Sequence, residues 1–315
     1  MRITIVTPSL NRGSMLAGAL ESVIAQNDPD LEHIVVDGGS TDTTAEVLAR
    51  FPTVTVLREA DRNLYEALNK GMRRATGDVI GFLNTDDRLA PGALRLVRQL
   101  FAQQPSAQIV AGAVDVVKVD RASEVSRRRF DDARFLRLRL QSIFSGVAFL
   151  NGCFFRRDAL VALDGFDERF RLIADKDLLL RAVARRFETA MTRQVVYEYG
   201  CHEGSLTMNI SRPSLAVAEE SYEAARAGLV RPLEEGTAAA YREWHAWSAG
   251  YDVLANLRYR RWRRARALIL ESFANDKWWP IRFLPMVLQH SVELPLRRGK
   301  PANVSVSGTA GSPPT

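Results

Sequence analysis

Two adjacent carboxylates, Asp86 and Asp87, follow an apolar run at residues 79–83 and are the first candidates for chemistry. A carboxylate pair concentrates negative charge, which is costly unless the pair is solvated, capped or bound to a cation. Magnesium binds proteins through one or two carboxylates together with the phosphate oxygens of a substrate. The pair therefore indicates a site for a divalent cation and a diphosphate, with a solvated turn as the alternative.

Polar residues also follow the other apolar runs in the first third of the chain. This part alternates short apolar runs with helical patterns, which predicts α/β units and a mostly parallel sheet. The carboxyl ends of parallel strands share one sheet edge, where α/β proteins bind ligands. The residues at these ends are Thr7, Ser9, Asp37, Asp61, Asp86 and Asp87. Any one of them can instead be an ordinary turn or helix-cap residue.

Common phosphate-binding loops are missing from the sequence. The chain contains no GxxxxGK[ST] loop, and no GxGxxG follows its first predicted strand. A nucleotide bound at this sheet is therefore expected to need a metal ion that neutralises its phosphates. Two cysteines, Cys153 and Cys201, are too few for a disulfide scaffold or a four-thiolate zinc site, so a cytosolic chain is the default expectation.

Three stretches occur in order along the chain: VVDGGSTD at 35–42, DRNLYEALNKGMRRATGDVIGFLNTDD at 61–87 and GFDERFRLIADKDLLLR at 165–181. With this combination the chain resembles the inverting glycosyltransferases of family two over roughly residues 1–208. It is most similar to the bacterial enzymes that build exopolysaccharide, lipopolysaccharide or capsule. The resemblance implies the GT-A fold, in which a mostly parallel nucleotide-binding sheet is flanked by helices.

The resemblance also implies an activity, which is transfer of a sugar from a nucleoside diphosphate sugar to a hydroxyl of a glycan or lipid-linked acceptor. It implies a divalent metal cofactor, Mn²⁺ or Mg²⁺. Asp175 matches the general base, which takes a proton from the acceptor hydroxyl. Asp87 is implied as the first metal ligand, Asp86 as a ligand of the metal or the ribose, and His202 as a further ligand unless it is a loop histidine without a role. The implied donor contacts are Thr7, Ser9, Asp37, Asp61, Asn69, Lys70, Asp86 and Gly152.

The sequence departs from the family pattern at two of the motif positions. Asn84 stands where the first acid of the acidic motif is usual, and Ala174 stands where a glutamate precedes the base. A structural reading also stays open for Asp175, because a first-turn acid stabilises a helix dipole. Asp177, with Arg181 one turn later as an ion-pair partner, is the nearest competitor for the role of base.

Composition and charge bound the organisation of the 315-residue chain. With 46% hydrophobic and 25% charged residues it has an ordinary globular composition, which excludes a wholly disordered, collagen-like or coiled-coil protein. The net charge of +6 is concentrated at residues 256–300, where 11 Lys and Arg stand against 3 Asp and Glu. Local basicity of this kind indicates an anionic partner surface. Lys70, which the resemblance implies as a contact of the sugar nucleotide, can instead be an ordinary charged residue on the surface.

The predicted organisation has three parts: a catalytic domain at 1–213, a helical region at 214–298 and a disordered tail at 299–315. Basic helices with Trp and Leu can lie in a membrane interface, so the helical region is predicted either to bind an anionic membrane or to pack on the catalytic domain or a second copy. No apolar run reaches the roughly 20 residues of a spanning helix. We expect a cytoplasmic protein, either soluble or peripheral at the inner face of the cell membrane.

Two other classes of function fit parts of the sequence. A sugar-phosphate nucleotidyltransferase shares the sheet layout and the metal–nucleotide chemistry, but its Gly-rich basic loop is poorly matched by TPSLNRGS at 7–14. A basic nucleic-acid-binding protein is suggested by the arginines at 258–266 alone, since no zinc finger, recognition helix or aromatic RNP motif accompanies them. A non-catalytic relative is disfavoured because both the base and the acidic pair are present.

Overall fold

A single mixed sheet runs through the residues that this computed structural model describes, which are 1–120, 123–144, 150–202, 215–229 and 235–285. Within them the strands are β1 Ile3–Ser9, β2 Leu31–Asp37, β3 Thr55–Arg58, β4 Val79–Phe82, β5 Arg88–Leu89, β6 Ile109–Asp120, β7 Ser123–Phe130, β8 Cys153–Arg156 and β9 Thr189–Cys201. They pair in the order β3-β2-β1-β4-β8-β6-β9-β5, and β7 lies beside β6.

Helices flank the sheet and also form the C-terminal part of the described chain. They are α1 Gly13–Ile24, α2 Thr44–Ala49, α3 Leu64–Arg74, α4 Ala93–Gln103, α5 Ala133–Leu136, α6 Leu140–Phe144, α7 Arg157–Ala162, α8 Ala174–Ala184, α9 Leu215–Leu229, α10 Glu235–Arg258 and α11 Trp262–Asn275. A 3₁₀ turn at Leu150–Gly152 precedes β8, and residues 279–285 form a further short helix.

Most strands of the sheet run in one direction. The pairs β1–β2, β2–β3, β1–β4 and β6–β9 are parallel. β8 lies antiparallel between β4 and β6, so it joins two parallel groups into one sheet. β5 and β7 are antiparallel additions to β9 and β6. The carboxyl ends of β1, β2, β3, β4, β6 and β9 therefore meet at one edge.

Alternating residues of the strands face two separate cores, as the two-residue period of a strand requires. Val6 and Phe155 belong to the core that α3, α8 and α10 cover. Their chain neighbours Ile5 and Phe154 point to the opposite face, where α1 and α4 pack. Helices on both faces explain why the predicted strands are nearly continuous apolar runs.

The basic, polar stretch at residues 121–139 contains a strand as well as the short helix α5. The described part of this stretch contains strand β7, which extends the sheet from β6. Arg127 and Arg129 alternate along β7, and both guanidinium groups lie within 3.2 Å of the buried Asp115 carboxylate on β6. The basic run is therefore a strand whose alternate arginines pair with β6.

The helical region expected after residue 213 is present as α9, α10 and α11. Between α10 and α11 the chain turns at residues 259–261. Arg260 has a left-handed backbone (φ 57°), and the N–H of Arg261 donates to the carbonyl of Asn256, a Schellman arrangement that ends a helix. A glycine normally marks this position, so the arginine gave no signal.

The aromatic residues of α10 pack inward. Tyr241, Trp244 and Trp247 are buried in the same core as α8 residues, which joins the C-terminal helices to the sheet layer. This packing takes them away from any membrane surface. None of the described helices combines the length and apolar character that crossing a membrane requires. The predicted tail at 299–315 lies outside the described residues, and the domain boundaries stay predictions.

Candidate functional site

Three strand ends lie side by side at one edge of the sheet. Ser9 is in register with Asp37, and Asp37 is in register with Arg58. The Asp37 carboxylate is buried; it accepts a hydrogen bond from the Ser40 N–H at 2.8 Å and lies 3.5 Å from the Arg58 guanidinium. The Ser9 Oγ is also buried and has no hydrogen-bond partner among the described residues. Both predicted polar groups thus stand at the edge where parallel strands end.

Asp61 and Lys70 stand beside these strand ends. Lys70 Nζ lies 2.6 Å from Asp61 Oδ1 and donates to the Ala60 carbonyl at 2.7 Å. Gly38, which follows β2, borders the pair, because a Cβ there would lie 3.1 Å from Asp61 Oδ2. Burial raises the pKa of Asp61 and the Lys70 ammonium opposes that rise. Lys70 therefore orders an acid next to Asp37 rather than standing alone on the surface.

Asp87 is buried below the loop that follows β4, and four donors converge on its carboxylate. Oδ2 accepts the Tyr197 hydroxyl at 2.6 Å, and it also accepts the side-chain amides of Asn84 at 3.1 Å and Asn151 at 3.2 Å. Oδ1 accepts the Gly200 N–H at 2.8 Å. Burial, followed by the charge of the preceding carboxylate, raises the pKa of Asp87 to about 7. Asp87 thus ties together the β4 loop, the turn before β8 and strand β9.

Asp86 meets His202 at the opening of the same loop. The Asp86 Oδ2 lies 3.2 Å from His202 Nε2, and about a quarter of each side chain is exposed. The position of the histidine follows from β9, which ends one residue earlier beside the loop. An exposed carboxylate oxygen and an imidazole nitrogen are therefore held next to each other.

This pair fits a divalent cation that takes its remaining ligands from a substrate. Carboxylate suits Mg²⁺ and Mn²⁺, imidazole suits transition metals, and Mg²⁺ commonly completes its shell with phosphates. No group of three His, Cys, Asp or Glu side chains that could hold an ion occurs among the described residues. Both oxygens of the buried Asp87 accept hydrogen bonds, whereas Asp86 is partly exposed; the metal-ligand roles of the two residues stay predictions.

Asp175 lies in the first turn of α8. Its Oδ1 accepts the Lys176 N–H at 2.8 Å and the Tyr65 hydroxyl at 3.3 Å. Burial raises the pKa of Asp175, and the Lys176 ammonium and the two hydrogen bonds reduce that rise. The side chain keeps part of its surface exposed. A partly open carboxylate with a raised pKa is suited to accept a proton.

Asp177, the competing acid, has structural contacts instead. It is fully buried and pairs with the Arg181 guanidinium at 2.8 Å, as the spacing of one helical turn predicts. Its other oxygen accepts a hydrogen bond from the Tyr241 hydroxyl of α10. Asp177 therefore fastens α10 to the start of α8, and its carboxylate is closed to a substrate.

A cluster of aromatic rings connects Asp175 with the acidic loop. The Tyr65 ring, whose hydroxyl reaches Asp175, packs on Phe166 with 5.4 Å between ring centroids. Phe166 in turn packs on Phe82 at 5.1 Å, and Phe82 is the last residue of β4, just before the acidic loop. The turn at 150–152 forms a second link, since it packs on α8 and carries an amide bonded to Asp87.

Two residues that were predicted to contact the sugar nucleotide, Thr7 and Asn69, have their polar groups bonded to other parts of the protein. The Thr7 hydroxyl pairs with His33 Nε2 at 3.0 Å, and both side chains are buried in the sheet. The Asn69 amide donates to the Phe166 carbonyl at 2.8 Å and its oxygen accepts the Phe166 N–H at 2.9 Å. Both side chains are buried away from the surface where a sugar nucleotide would bind. Thr7 makes a contact within the sheet, and Asn69 holds the loop that carries Phe166.

Gly152 is required for close packing, since a Cβ at this position would lie 2.8 Å from the Gly112 carbonyl oxygen. Its neighbour Asn151 makes the polar contacts, donating to Asp87 and to the Tyr197 hydroxyl. Sequence reasoning missed the roles of Asn151 and Tyr197, because their partner lies 64 and 110 residues away. Tyr65 had a signal, since it lies inside the quoted 61–87 stretch.

Comparison with known proteins places the chain in a family. The family model of glycosyl transferase family 2 matches residues 4–163, about half of the chain. The succinoglycan biosynthesis protein ExoO of Rhizobium meliloti is 30% identical over 261 residues, which cover 76% of this chain and 74% of that protein. A PGL/p-HBAD biosynthesis glycosyltransferase of Mycobacterium tuberculosis is 29% identical over 185 residues, covering 56% and 68%.

Solved structures show the same fold at low sequence identity. TarS residues 1–349 of S. aureus in complex with UDP-GlcNAc superposes with a TM-score of 0.64 at 16% identity, covering 95% of this chain and 93% of that one. The mannosyltransferase PcManGT of Pyrobaculum calidifontis, in complex with GDP-Man and Mn²⁺, superposes with a TM-score of 0.52 at 17% identity. The superposition covers 94% of this chain and 88% of that one. These likenesses confirm the predicted GT-A fold. By its sequence match and its fold, the chain belongs to glycosyl transferase family 2.

Proposed function

We propose that this chain is an inverting glycosyltransferase that moves a sugar from a nucleoside diphosphate sugar to a hydroxyl of a glycan or lipid-linked acceptor in cell-surface polysaccharide synthesis. The observation that carries the proposal is the joining of Asp175 to the Asp86–His202 loop through one aromatic cluster at the ligand-binding edge of the sheet. The relation to a succinoglycan biosynthesis protein supports the polysaccharide context.

The nucleoside half of the donor is assigned to the ends of β1 and β2. The unpartnered Ser9 Oγ and the carboxylates of Asp37 and Asp61 offer acceptors for base and ribose hydroxyl or amide groups. Arg58 and Lys70 hold the two carboxylates in place and offset their charge. TarS with UDP-GlcNAc and PcManGT with GDP-Man show that this fold accepts both kinds of sugar nucleotide, and the pocket here is assigned to that class.

Asp86 and His202 are assigned as the protein ligands of the divalent metal. When bound, the metal offsets the negative charge that builds on the departing diphosphate. Asp87 acts from below as a positioning residue, because its four hydrogen bonds fix the loop that carries Asp86. Tyr197 and Gly200 extend this fixation to β9, the strand that delivers His202.

Asp175 is assigned as the general base. Its free oxygen takes the proton from the acceptor hydroxyl as that oxygen attacks the anomeric carbon, and the bond from that carbon to the diphosphate breaks. Attack on the face opposite the leaving group inverts the anomeric configuration. The raised pKa favours this role, since a carboxylate with a higher pKa is a stronger proton acceptor once it is ionised.

A donor screen with a matched pair of variants tests the proposal. Purified protein with Mn²⁺ and a panel of UDP-, GDP- and dTDP-sugars is assayed for released nucleoside diphosphate in the presence of acceptor. Asp175→Asn is expected to lower turnover by about 10²–10⁴-fold and to keep nucleotide binding by calorimetry. Asp158→Asn is the control, since Asp158 is also a first-turn acid that accepts the next backbone N–H, in α7. Near-normal turnover of Asp175→Asn refutes the assignment of the base.

A further inference from the structure

One exposed face of α11 mixes aromatic, aliphatic and cationic side chains. Trp262, Leu270 and Phe273 are 63%, 61% and 45% exposed, although they are large apolar residues. Arg263 and Arg266 are exposed on the same side of the helix, since on a helical wheel Arg266 falls between these apolar residues and Arg263 lies next to Leu270. We call these five residues the α11 face. The opposite side of the helix is buried and contacts α9 and α10 through Ala265, Leu268 and Ser272.

The apolar exposure continues into the segment that follows α11. Trp278, Ile281 and Leu284 each expose more than half of their surface. Trp279, which follows Trp278, packs edge to face on Phe273 with 5.8 Å between the ring centroids. This contact holds the segment next to the α11 face. Isolated exposed apolar residues are common, but six large ones on one helix and the segment directly after it indicate a binding surface.

The cations around the α11 face are available for an external partner. Four exposed arginines, at 258, 260, 263 and 266, make no ion pair within 4.0 Å to any described residue. Arg261 differs, because it pairs with Glu219 at 3.1 Å. Glu271 is the acid within α11 itself, and it points toward α9, where it lies 3.7 Å from Arg226. The surface is therefore both strongly positive and apolar.

We infer that the α11 face docks on an anionic lipid bilayer surface. Interfacial helices bury Trp, Phe and Leu at the boundary between headgroups and acyl chains while their arginines reach the phosphates. A nucleic acid accounts for the arginines and the tryptophans but leaves Leu270, Ile281 and Leu284 without a partner. A symmetric contact with a second copy would bring the arginines of the two chains together, and like charges repel.

Docking through α11 is compatible with the packing of the rest of the C-terminal helices. The aromatic residues of α10 are used inside the protein, so the membrane-facing group is confined to α11 and the segment after it. If the acceptor is lipid-linked, which rests on the proposed function, this docking keeps the enzyme at the surface where that acceptor resides. The docking itself needs no transfer activity and is tested separately.

Vesicle co-sedimentation of the full chain tests the inference. Vesicles of phosphatidylcholine mixed with phosphatidylglycerol are expected to pull down the protein, and vesicles of phosphatidylcholine alone are expected to leave most of it in solution. Added salt is expected to weaken the binding. Binding that is equal for both vesicle types, or no binding to either, overturns the inference.

Paired variants locate the surface. Each Arg near an anionic bilayer contributes about fivefold to partitioning, so Arg263→Ala with Arg266→Ala is expected to weaken binding by roughly 25-fold. Trp262→Gln with Leu270→Gln is expected to weaken it by about tenfold or more while the charge is unchanged. Arg95→Ala and Val161→Gln are controls, since both side chains are exposed on other helices.

All variants are checked by thermal unfolding and by metal-dependent nucleotide binding, which should match those of the unaltered chain. Undiminished vesicle binding by both double variants overturns the inference. So does a dimer in sedimentation velocity that Trp262→Gln with Leu270→Gln dissociates, or binding to single-stranded RNA that replaces vesicle binding. Loss of vesicle binding with nucleotide binding intact separates this inference from the proposed function.

Discussion

Removing the Tyr65 hydroxyl tests the proposed role of Asp175 as the general base, because this hydroxyl donates a hydrogen bond to the Asp175 carboxylate. Its oxygen lies 3.3 Å from Asp175 Oδ1 as a hydrogen-bond donor. Tyr65→Phe removes that donor and keeps the ring that packs on Phe166. The substitution therefore changes the electrostatic environment of Asp175 with little change in packing.

The size and sign of the effect follow from the contacts of Asp175. A hydrogen bond to a charged group contributes about 1.5–3 kcal/mol at good geometry, and at 3.3 Å we take about 1 kcal/mol. That energy favours the ionised carboxylate, so its loss raises the pKa of Asp175 further. A carboxyl group with a higher pKa stays protonated up to a higher pH, and in that form it cannot take the proton from the hydroxyl of the acceptor substrate.

The assay is the pH profile of kcat/KM, followed through release of nucleoside diphosphate. The acid limb of Tyr65→Phe is expected to move upward by about 0.5–1 pH unit, with about a fivefold lower rate on that limb and little change on the plateau. Tyr222→Phe is the control, because it removes a buried hydroxyl that contacts Ser272 in the C-terminal helices. An unmoved acid limb in Tyr65→Phe, or an equal shift in Tyr222→Phe, contradicts the reasoning.

Three further predictions concern the loop after β4, its contact with β9, and the contact between α8 and α10. Asp86→Asn and His202→Ala should each weaken Mn²⁺-dependent nucleotide binding by about 10-fold or more in calorimetry and leave metal-free binding nearly unchanged; equal loss in both conditions would argue against a metal role. Tyr197→Phe removes one of four donors to the buried Asp87 and should lower the unfolding free energy by about 1–3 kcal/mol in urea titration, whereas an unchanged midpoint would show that the bond contributes nothing. Tyr241→Phe should lower the unfolding free energy by a similar amount and leave the acid limb of the pH profile unmoved, since the Tyr241 hydroxyl bonds to Asp177 and not to Asp175, the proposed base.

The sequence contains enough to predict the parallel half of the fold and the place of Asp175, the proposed base, at the start of a helix. Apolar runs separated by helical patterns indicate the parallel strands of the first third of the chain, and the run at 79–83 agrees with β4 to within one residue. The first-turn position of Asp175 follows from the ADKD stretch, and the structure begins α8 at Ala174. These features are local, so short-range patterns carry them.

Features that depend on distant partners were not predictable in the same way. Strand β7 reads as a basic loop until Asp115 on β6 supplies a buried partner for its arginines. The amide of Asn69 looks available until the loop at Phe166, 97 residues away, occupies it. In both cases the residue type fits two roles, and the tertiary contact decides between them.

The acidic pair shows how two identical neighbours acquire different roles. The turn after β4 directs the two side chains to different environments, so Asp87 enters the protein while Asp86 stays partly exposed. A buried carboxylate is costly without hydrogen bonds, and Tyr197, Asn84 and Asn151 supply them. Those three bonds go to Oδ2, and together with the Gly200 N–H on Oδ1 they fix the backbone of the turn. Asp86 is then held at a defined place beside His202, which is the geometry that our proposal of Asp86 as a metal ligand and Asp87 as a positioning residue uses.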